Sequence, residues 1–158
     1  MKTYLVTGAA GFIGANFLKY ILKKYEGKED IKVIVVDVLT YAGNLGTIKE
    51  EIKDARVEFK KVDIRDRKKI ERVFSENDVD YVVNFAAESH VDRSIENPQI
   101  FLETNILGTQ NLLENAKKVW TVSKGENGYP VYRDGVKYLQ VSTDEVYGSL
   151  SKDYEKAI

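Results

Sequence analysis

Three glycines near the start of the chain have the spacing of a phosphate-binding turn. Gly8, Gly11 and Gly14 follow the β-forming residues 4–7 and precede an apolar pattern with helical periodicity. Gly8 leaves the backbone free at the turn, Gly11 leaves room for a diphosphate, and Gly14 lets the helix lie close to the sheet. The first turn of the helix offers N–H groups and a positive dipole end to an anion. A glycine-rich turn without a ligand is the alternative interpretation.

A carboxylate ends the second apolar run of the chain. Residues 33–36 are all Val or Ile, which is typical of a strand buried on both faces, and Asp37 follows them. At this distance from Gly14 a carboxylate would accept the two hydroxyls of an adenosine ribose and repel a 2′-phosphate. Asp37 therefore favours NAD over NADP. The alternative interpretation is an aspartate that only caps a turn.

Two adjacent acids, Asp144 and Glu145, follow Thr143 at the end of the last apolar run. Beside a bound cofactor, such a pair could supply one general acid and one general base. From the residues alone, a solvated acidic turn is the stronger interpretation.

Two other patterns give weaker evidence for a catalytic site. Ser89, His90 and Asp92 have the residue types of a hydrolase triad, but they are nearly consecutive and no nucleophile-elbow motif surrounds the serine. His90 is better interpreted as a loop residue. Tyr20 and Lys24 match Tyr-x-x-x-Lys, yet they fall within the first predicted helix, which favours a pair on the helix surface.

Strands that alternate with helices position these residues. The pattern predicts an α/β fold, a doubly wound Rossmann-type parallel sheet of order 3-2-1-4-5, truncated after strand five. The predicted strands are residues 4–7, 32–37, 57–62, 80–85 and 136–142, and the predicted helices are residues 12–25, 47–53, 64–75 and 98–120. The last helix has Phe101, Ile106, Leu112, Leu113 and Ala116 as candidate core residues, and a polar loop covers residues 124–134. The polar residues named above fall at the carboxyl edge of this sheet.

Composition narrows the function classes. The 158 residues are one domain's worth of chain, and 24 basic and 25 acidic side chains are mixed along it, which argues against nucleic acid as a partner. The absence of cysteine and the single histidine argue against a metal site. No apolar run has the length of a membrane span and no signal peptide precedes the first strand, so we expect a cytoplasmic protein without a membrane partner.

Four segments resemble a known family. Residues 7–14 are similar to the extended short-chain dehydrogenase/reductase superfamily. Within that superfamily, the dTDP-glucose 4,6-dehydratases are resembled most specifically by residues 39–44, 86–94 and 142–148. The whole resemblance spans about residues 1–150. The first motif is shared by epimerases, reductases and dehydratases, whereas the other three are more specific.

The resemblance implies an NAD site at the strand ends. Gly8, Gly11, Phe12, Ile13 and Gly14 would hold the diphosphate, while Asp37 and the neighbouring Val38, Leu39 and Thr40 would hold the adenosine ribose. Asp63 and Ile64 would contact adenine. The nicotinamide side would be lined by Phe85, Ala86, Ala87, Ser89 and Thr104. Val38 departs from the family pattern, because many relatives have lysine there.

The resemblance also implies a reaction, the conversion of dTDP-glucose to dTDP-4-keto-6-deoxyglucose in nucleotide-sugar biosynthesis. Hydride leaves C4 of the sugar for NAD, water is eliminated across C5 and C6, and hydride returns to C6. Glu145 would remove the C5 proton, Asp144 would protonate the departing C6 hydroxyl, and Ser89 and Thr143 would contact the glucosyl unit. This lyase would use no metal.

The resemblance further implies a homodimer in the full-length protein, through the helix that begins at Pro98. The family's catalytic Tyr-x-x-x-Lys and its substrate domain lie beyond residue 158, so residues 1–158 are expected to form an incomplete NAD-binding domain that cannot complete the reaction. Another nucleotide-sugar dehydratase, an epimerase and a non-catalytic NAD-binding module stay open as alternatives.

Overall fold

A computed structural model describes residues 1–27, 30–143 and 146 of the chain. Its main sheet is built from β1 (Lys2–Thr7), β2 (Ile31–Asp37), β3 (Val57–Lys61), β4 (Tyr81–Asn84) and a later strand, β7 (Lys137–Gln140). Their order is β3-β2-β1-β4-β7 and every pairing is parallel. Because β7 is the fifth predicted strand, the predicted order 3-2-1-4-5 is confirmed.

The central strands are buried on both faces. Val33, Ile34, Val35 and Val36 have no exposed surface, as the continuous apolar run predicts for a parallel strand covered by helices. Successive side chains of a strand point to opposite faces, so these four residues supply both layers of the core.

Helices cover the two faces of the sheet. On one face α1 (Phe12–Lys24) packs Leu18 and Ile21 against Val33 and Val35. On the other face the core combines Leu5, Ile34 and Val82 of the sheet with residues of α2 (Arg67–Ser75) and α5 (Thr109–Trp120), namely Ile70, Val73, Phe74, Leu112, Ala116 and Trp120. The domain is therefore doubly wound, as predicted.

The long helix predicted from Pro98 is interrupted in its middle. It consists of α4 (Pro98–Phe101), a π-helical segment (Leu102–Gly108) and α5. A shorter helix, α3 (Val91–Glu96), precedes it and was not predicted. The prediction that Ile106 and Leu113 belong to the core is wrong, because they are 58% and 46% exposed. The wider turn of the π segment shifts the face that each part of the helix buries.

Two further predictions are corrected by the structure. The polar loop of residues 124–134 contains part of an antiparallel hairpin, β5 (Thr121–Lys124) and β6 (Pro130–Tyr132). Arg133 ties this hairpin to the sheet, since its guanidinium donates to Asp80 Oδ1 at 3.0 Å and to the Val79 carbonyl at 2.7 Å. The short helix predicted at residues 47–53 is a pair of 3₁₀ turns, Leu45–Ile48 and Glu51–Lys53. In the described part of the chain no helix is long and apolar enough to cross a membrane.

Candidate active-site cleft

A cleft of about 450 Å³ lies at the carboxyl ends of the parallel strands. The β1–α1 turn, the segments that follow β2, β3, β4 and β7, and the π segment form its walls. Its lining consists of Gly8, Gly11, Phe12, Ile13, Gly14, Val36, Asp37, Val38, Thr40, Ala42, Gly43, Val62, Asp63, Ile64, Arg65, Phe85, Ala86, Ala87, Glu88, Ser89, Ile100, Thr104, Val141, Ser142 and Thr143. This is the edge where ligands bind in open α/β sheets.

The three glycines have different steric environments. Gly8 has a φ of 65°, and a Cβ there would lie 2.6 Å from the Ala86 nitrogen. A Cβ on Gly14 would collide with the Gly8 carbonyl oxygen and lie 2.8 Å from Ala9 Cα. At Gly11 the nearest atom to an added Cβ is the Gly8 carbonyl oxygen at 3.3 Å, so Gly11 otherwise faces open space in the cleft. Of the three glycines, Gly11 is therefore the one beside open space, and it is the position predicted to admit a diphosphate.

The N-terminus of α1 opens into the same space. Ala15 donates to the Gly11 carbonyl at 2.9 Å, so the N–H groups of Phe12, Ile13 and Gly14 precede the first bond of the helix. The first turn has no acidic residue, and no side chain caps it. Phe12 and Ile13 are exposed on the cleft side. Free N–H groups and the positive end of the helix dipole favour an anion here.

Asp37 is a buried carboxylate in the cleft wall. It is 7% exposed and accepts hydrogen bonds from the Ala10 N–H at 2.9 Å and from the Leu39 N–H at 2.7 Å. Leu39 has a φ of 59°, a left-handed conformation that is unfavourable for leucine. A Cβ on Gly43 would lie 2.7 Å from Asp37 Oδ1, so glycine is needed beside the carboxylate. A carboxylate has about four acceptor positions, which leaves capacity for ligand hydroxyls.

An ion-paired group forms the end of the cleft beyond β3. Arg65 donates to both oxygens of Asp63, with Nη2 2.6 Å from Oδ2, and its Nη1 reaches Glu103 Oε2 at 3.1 Å. Burial raises the pKa of Asp63, but the hydrogen bonds from Arg65 outweigh that effect and hold the pKa below its usual value. Next to this group Ile64 contacts Gly108, where a Cβ would lie 2.7 Å from the isoleucine side chain. The π segment can therefore approach this wall only through glycine.

Small side chains form the opposite end. Ala86, Ala87 and Ser89 follow β4, and they leave space across the strand end. Beneath them Asn84 is fully buried, accepts from the Thr7 hydroxyl and the Ala86 N–H, and donates to Gln140 Oε1 at 2.8 Å. This network fixes the ends of β1, β4 and β7 relative to one another.

The predicted catalytic residues are only partly within the described chain. Thr143 lines the cleft, whereas Asp144 and Glu145 lie outside the described residues. Ser89 also lines the cleft. His90 is exposed, and its ring meets the edge of Tyr41 at a centroid distance of 6.4 Å. Ser89, His90 and Asp92 are all exposed, and Asp92 lies in the first turn of α3.

The structure brings together nearly all of the predicted cofactor residues. Each lines the cleft except Leu39, whose partly buried side chain packs against the core cluster beneath. Tyr20 lies on the helix surface beside Lys24, with Nζ 5.8 Å from the ring centroid, as predicted. The sequence interpretation missed Arg65, Gly43 and Glu88. The Asp-x-Arg pattern of residues 63–65 could have indicated Arg65. Glu88 lies within the motif of residues 86–94, but the sequence assigned no role to it.

The described residues contain no candidate metal site. In residues 1–27, 30–143 and 146 no three His, Asp or Glu side chains are grouped as metal ligands. A metal-free reaction stays a prediction.

The fold and the cleft define a class: a doubly wound α/β domain with a glycine turn and a buried carboxylate arranged for a dinucleotide. Comparison with known proteins gives the family. The family model described as GDP-mannose 4,6 dehydratase matches residues 5–156, and the chain belongs to this family.

Named relatives agree with this assignment. The chain is 45% identical over 152 residues to a dTDP-glucose 4,6-dehydratase of Xanthomonas campestris pv. campestris strain B100, and 43% identical over 150 residues to one of Neisseria meningitidis serogroup B. These matches cover 96% and 95% of the chain but 40% of each relative. The chain thus spans about 40% of the length of the curated relatives that it matches.

A solved structure is similar in the same way. The dTDP-glucose 4,6-dehydratase of Bacillus anthracis, crystallised in complex with NAD, has a TM-score of 0.74 and 42% identity to the chain. The match covers 96% of the chain and 41% of that structure.

Proposed function

We propose that residues 1–158 form the NAD-binding domain of a nucleotide-sugar 4,6-dehydratase that acts on dTDP-glucose in the cytoplasm. The observation that carries the proposal is the cleft, in which the open side of Gly11, the free N–H groups of α1 and the buried Asp37 face one space. The spacing of these groups fits a diphosphate next to an adenosine ribose.

Each wall of the cleft would hold one part of NAD. The glycine turn with Phe12 and Ile13 would bind the diphosphate, and Asp37 with residues 38–40 would bind the adenosine ribose. Asp63 and Ile64 would contact adenine, and Arg65 would fix the Asp63 carboxylate through its three short hydrogen bonds. The small residues after β4, together with Thr104, would border the nicotinamide.

NAD would supply reversible hydride transfer when bound. The chain's own residues would move the protons of the dehydration. Glu145 would remove the proton at C5 of the glucosyl unit, and Asp144 would protonate the C6 hydroxyl as it leaves as water. Thr143 and Ser89, which both line the cleft, would hold the glucosyl unit by its hydroxyls. The acidic pair directly follows Thr143 in the sequence, and Thr143 lines the cleft.

The acidic pair also favours a dehydratase over an epimerase. Elimination of water needs both a base for the C5 proton and an acid for the departing hydroxyl, whereas epimerisation needs neither group. A non-catalytic NAD-binding module would need Asp37 for the ribose but would have no use for the acidic pair after Thr143.

The full-length protein would be a homodimer. Four large apolar residues of the segment 102–113 are exposed, namely Leu102 at 58%, Ile106 at 58%, Leu107 at 55% and Leu113 at 46%. Exposed apolar side chains on one helical segment are typical of a surface that a partner covers. Sedimentation of the full-length protein tests this, and a monomer at micromolar concentration would contradict it.

A substrate panel tests the function. The full-length protein is incubated with NAD and with the dTDP, UDP, GDP and CDP derivatives of glucose, and products are analysed by mass spectrometry. We expect a product lighter by one water, formed fastest from dTDP-glucose. An inverted sugar without water loss would indicate an epimerase, and cofactor binding without any product would indicate a binding module.

A further inference from the structure

A hydrogen bond connects the two sides of the cleft. The hydroxyl of Tyr41 donates to Glu88 Oε2 at 3.2 Å. Tyr41 lies between the lining residues Thr40 and Ala42 in the loop after β2, and Glu88 belongs to the segment after β4. Since β1 lies between β2 and β4 in the sheet, this bond spans the carboxyl end of β1, where the glycine turn begins.

Glu88 is held at its backbone as well as at its side chain. Asn105 of the π segment accepts from the Glu88 N–H at 2.8 Å and donates to the Glu88 carbonyl at 2.8 Å. Glu88 is 7% exposed although it lines the cleft. Among the described residues, the Tyr41 hydroxyl is the one hydrogen-bond donor to its carboxylate. Loss of that donor would leave a buried charge without a direct partner, which is unfavourable.

Arg93 of α3 adds a third contact. Its guanidinium carbon lies 4.0 Å from the centroid of the Tyr41 ring, a cation–π distance. The half-exposed ring of Tyr41 thus connects the loop after β2 both to α3 and to the segment after β4. The phenol hydroxyl is protonated at neutral pH, since an ordinary tyrosine titrates near 10, and burial and the nearby Glu88 raise the pKa of Tyr41 further. It can therefore act as the donor.

We propose that Tyr41 and Glu88 are positioning residues that couple the two walls of the cleft, so that the loop after β2 and the segment after β4 hold a dinucleotide as one unit. The identity of that ligand as NAD rests on the proposed function. The coupling itself is a property of the chain and is testable without any ligand.

Hydrogen–deuterium exchange of the ligand-free protein is the first test. Tyr41→Phe keeps the ring and its cation–π contact but removes the donor. We expect faster amide exchange in residues 38–44 and in residues 86–90 together, with exchange in α2 unchanged. Tyr20→Phe is the matched control, because Tyr20 is 58% exposed on α1 and away from the cleft. Faster exchange in one segment only, or the same profile as Tyr20→Phe, would overturn the coupling.

Release of NADH is the second test. Stopped-flow fluorescence should show release from Tyr41→Phe accelerated roughly tenfold, the factor expected for loss of a hydrogen bond to a charged group. Glu88→Ala should show a similar acceleration, and Glu88→Gln, which retains an acceptor for Tyr41, should show less. The double variant Tyr41→Phe/Glu88→Ala should be no faster than either single variant, since both remove one interaction. Additive effects would refute the proposal.

The two tests separate the coupling from the proposed function. If the wild-type protein did not bind NADH, the assignment of the ligand would fail, while the exchange experiment would still decide the coupling. If NADH bound and Tyr41→Phe released it at the wild-type rate, the positioning role would fail and the NAD site would stand.

Discussion

The carboxylate of Asp37 accepts a hydrogen bond from the Ala10 N–H at 2.9 Å, so the end of β2 is tied to the glycine turn that follows β1. The same carboxylate accepts from the Leu39 N–H at 2.7 Å. One buried side chain therefore shapes two walls of the cleft before any ligand is present. A test of its predicted role toward ribose therefore has to measure the stability of the fold beside the affinity for the ligand.

Asp37 should select NAD over NADP. Asp37→Asn keeps the shape but removes the charge and retains only one acceptor oxygen, so it also loses one of the bonds from Ala10 or Leu39, and thermal unfolding of the variant measures that loss. NAD affinity should fall roughly tenfold while discrimination against NADP narrows. Titration calorimetry with both cofactors measures this. Asp134→Asn is the control, because Asp134 is exposed. Equal affinity of the wild type for the two cofactors would contradict the assignment.

The glycines should respond differently to alanine. Gly11→Ala should fold with near-normal stability but lose NAD binding, since its Cβ would enter the open space of the cleft. Gly8→Ala should destabilise severely, because a φ of 65° and a backbone contact of 2.6 Å both oppose a Cβ. Gly27→Ala separates the two effects. Its φ is 64° and no atom lies within 4 Å of an added Cβ, so only the backbone conformation should cost stability, by about 1–2 kcal/mol. Thermal unfolding and NAD titration together measure the series, and unimpaired NAD binding by Gly11→Ala would argue against the diphosphate site.

Asp144 and Glu145 should act at different steps of the reaction in the full-length protein. Glu145→Gln should still permit hydride transfer from C4 but stop elimination, and Asp144→Asn should slow water loss with NAD binding unchanged. Losses of about 10²–10⁴-fold are expected for general acid–base residues. Single-turnover absorbance of the reduced nicotinamide, read beside product mass, separates the steps. Near-normal turnover in both variants would mean that the two acids are solvated and without a catalytic role.

Arg133 should matter for stability and not for binding. It contacts Asp80, which is 5% exposed, and the Val79 carbonyl, at the edge of the sheet opposite the cleft. Arg133→Ala should lower the free energy of unfolding by about 1.5–3 kcal/mol, because a buried carboxylate loses a charged donor. Denaturant unfolding measures this, with Arg67→Ala as the control, since the Arg67 side chain is 77% exposed and its pair with Glu114 should contribute about 0–1 kcal/mol. Equal effects of the two variants would show that the hairpin is not anchored by Arg133.

Ionisation of Tyr138 should lower the free energy of unfolding at alkaline pH. Burial raises its pKa to about 12, whereas an unfolded tyrosine titrates near 10. The folded state thus binds the proton more tightly, so the contribution is fully present below about pH 10 and is lost as the pH rises from about 10 to about 12. Comparing Tyr138→Phe with wild type in unfolding experiments over this range should show the wild type losing stability faster. Tyr129→Phe, at a residue that is 71% exposed, should follow the wild type.

Sequence predicted those parts of the fold that depend on local patterns. The Val and Ile run of β2 and the glycine spacing after β1 are contiguous signals, and they fixed the sheet order and most of the cleft. The hairpin of β5 and β6 was missed because Thr121–Lys124 is short and mostly exposed, so no apolar alternation marks it. It is held by a distant partner, Asp80, which no local pattern reveals.

The missed features of the cleft have similar causes. The left-handed backbone of Leu39 contradicts leucine's own preference and is stabilised by the bond from its N–H to Asp37. The role of Glu88 depends on Tyr41 and Asn105, which are far from it in sequence and come close only through the strand order. Residues whose function depends on such tertiary partners cannot be found from spacing alone.

The π-helical segment Leu102–Gly108 makes the helix sensitive to its exact length. A π turn closes its hydrogen bonds one residue later than an α turn, so it contains one residue more. Deleting a single residue there would restore α-helical pitch and leave the two ends nearly in phase, because the wider turns of the segment accommodate the additional residue. Leu112 and Ala116 would stay in the core, whereas Asn105, inside the segment, would lose its place opposite Glu88. Such a deletion would therefore uncouple the helix from the cleft while the core stayed packed, so a change of length in this segment should act on the site and not on the fold.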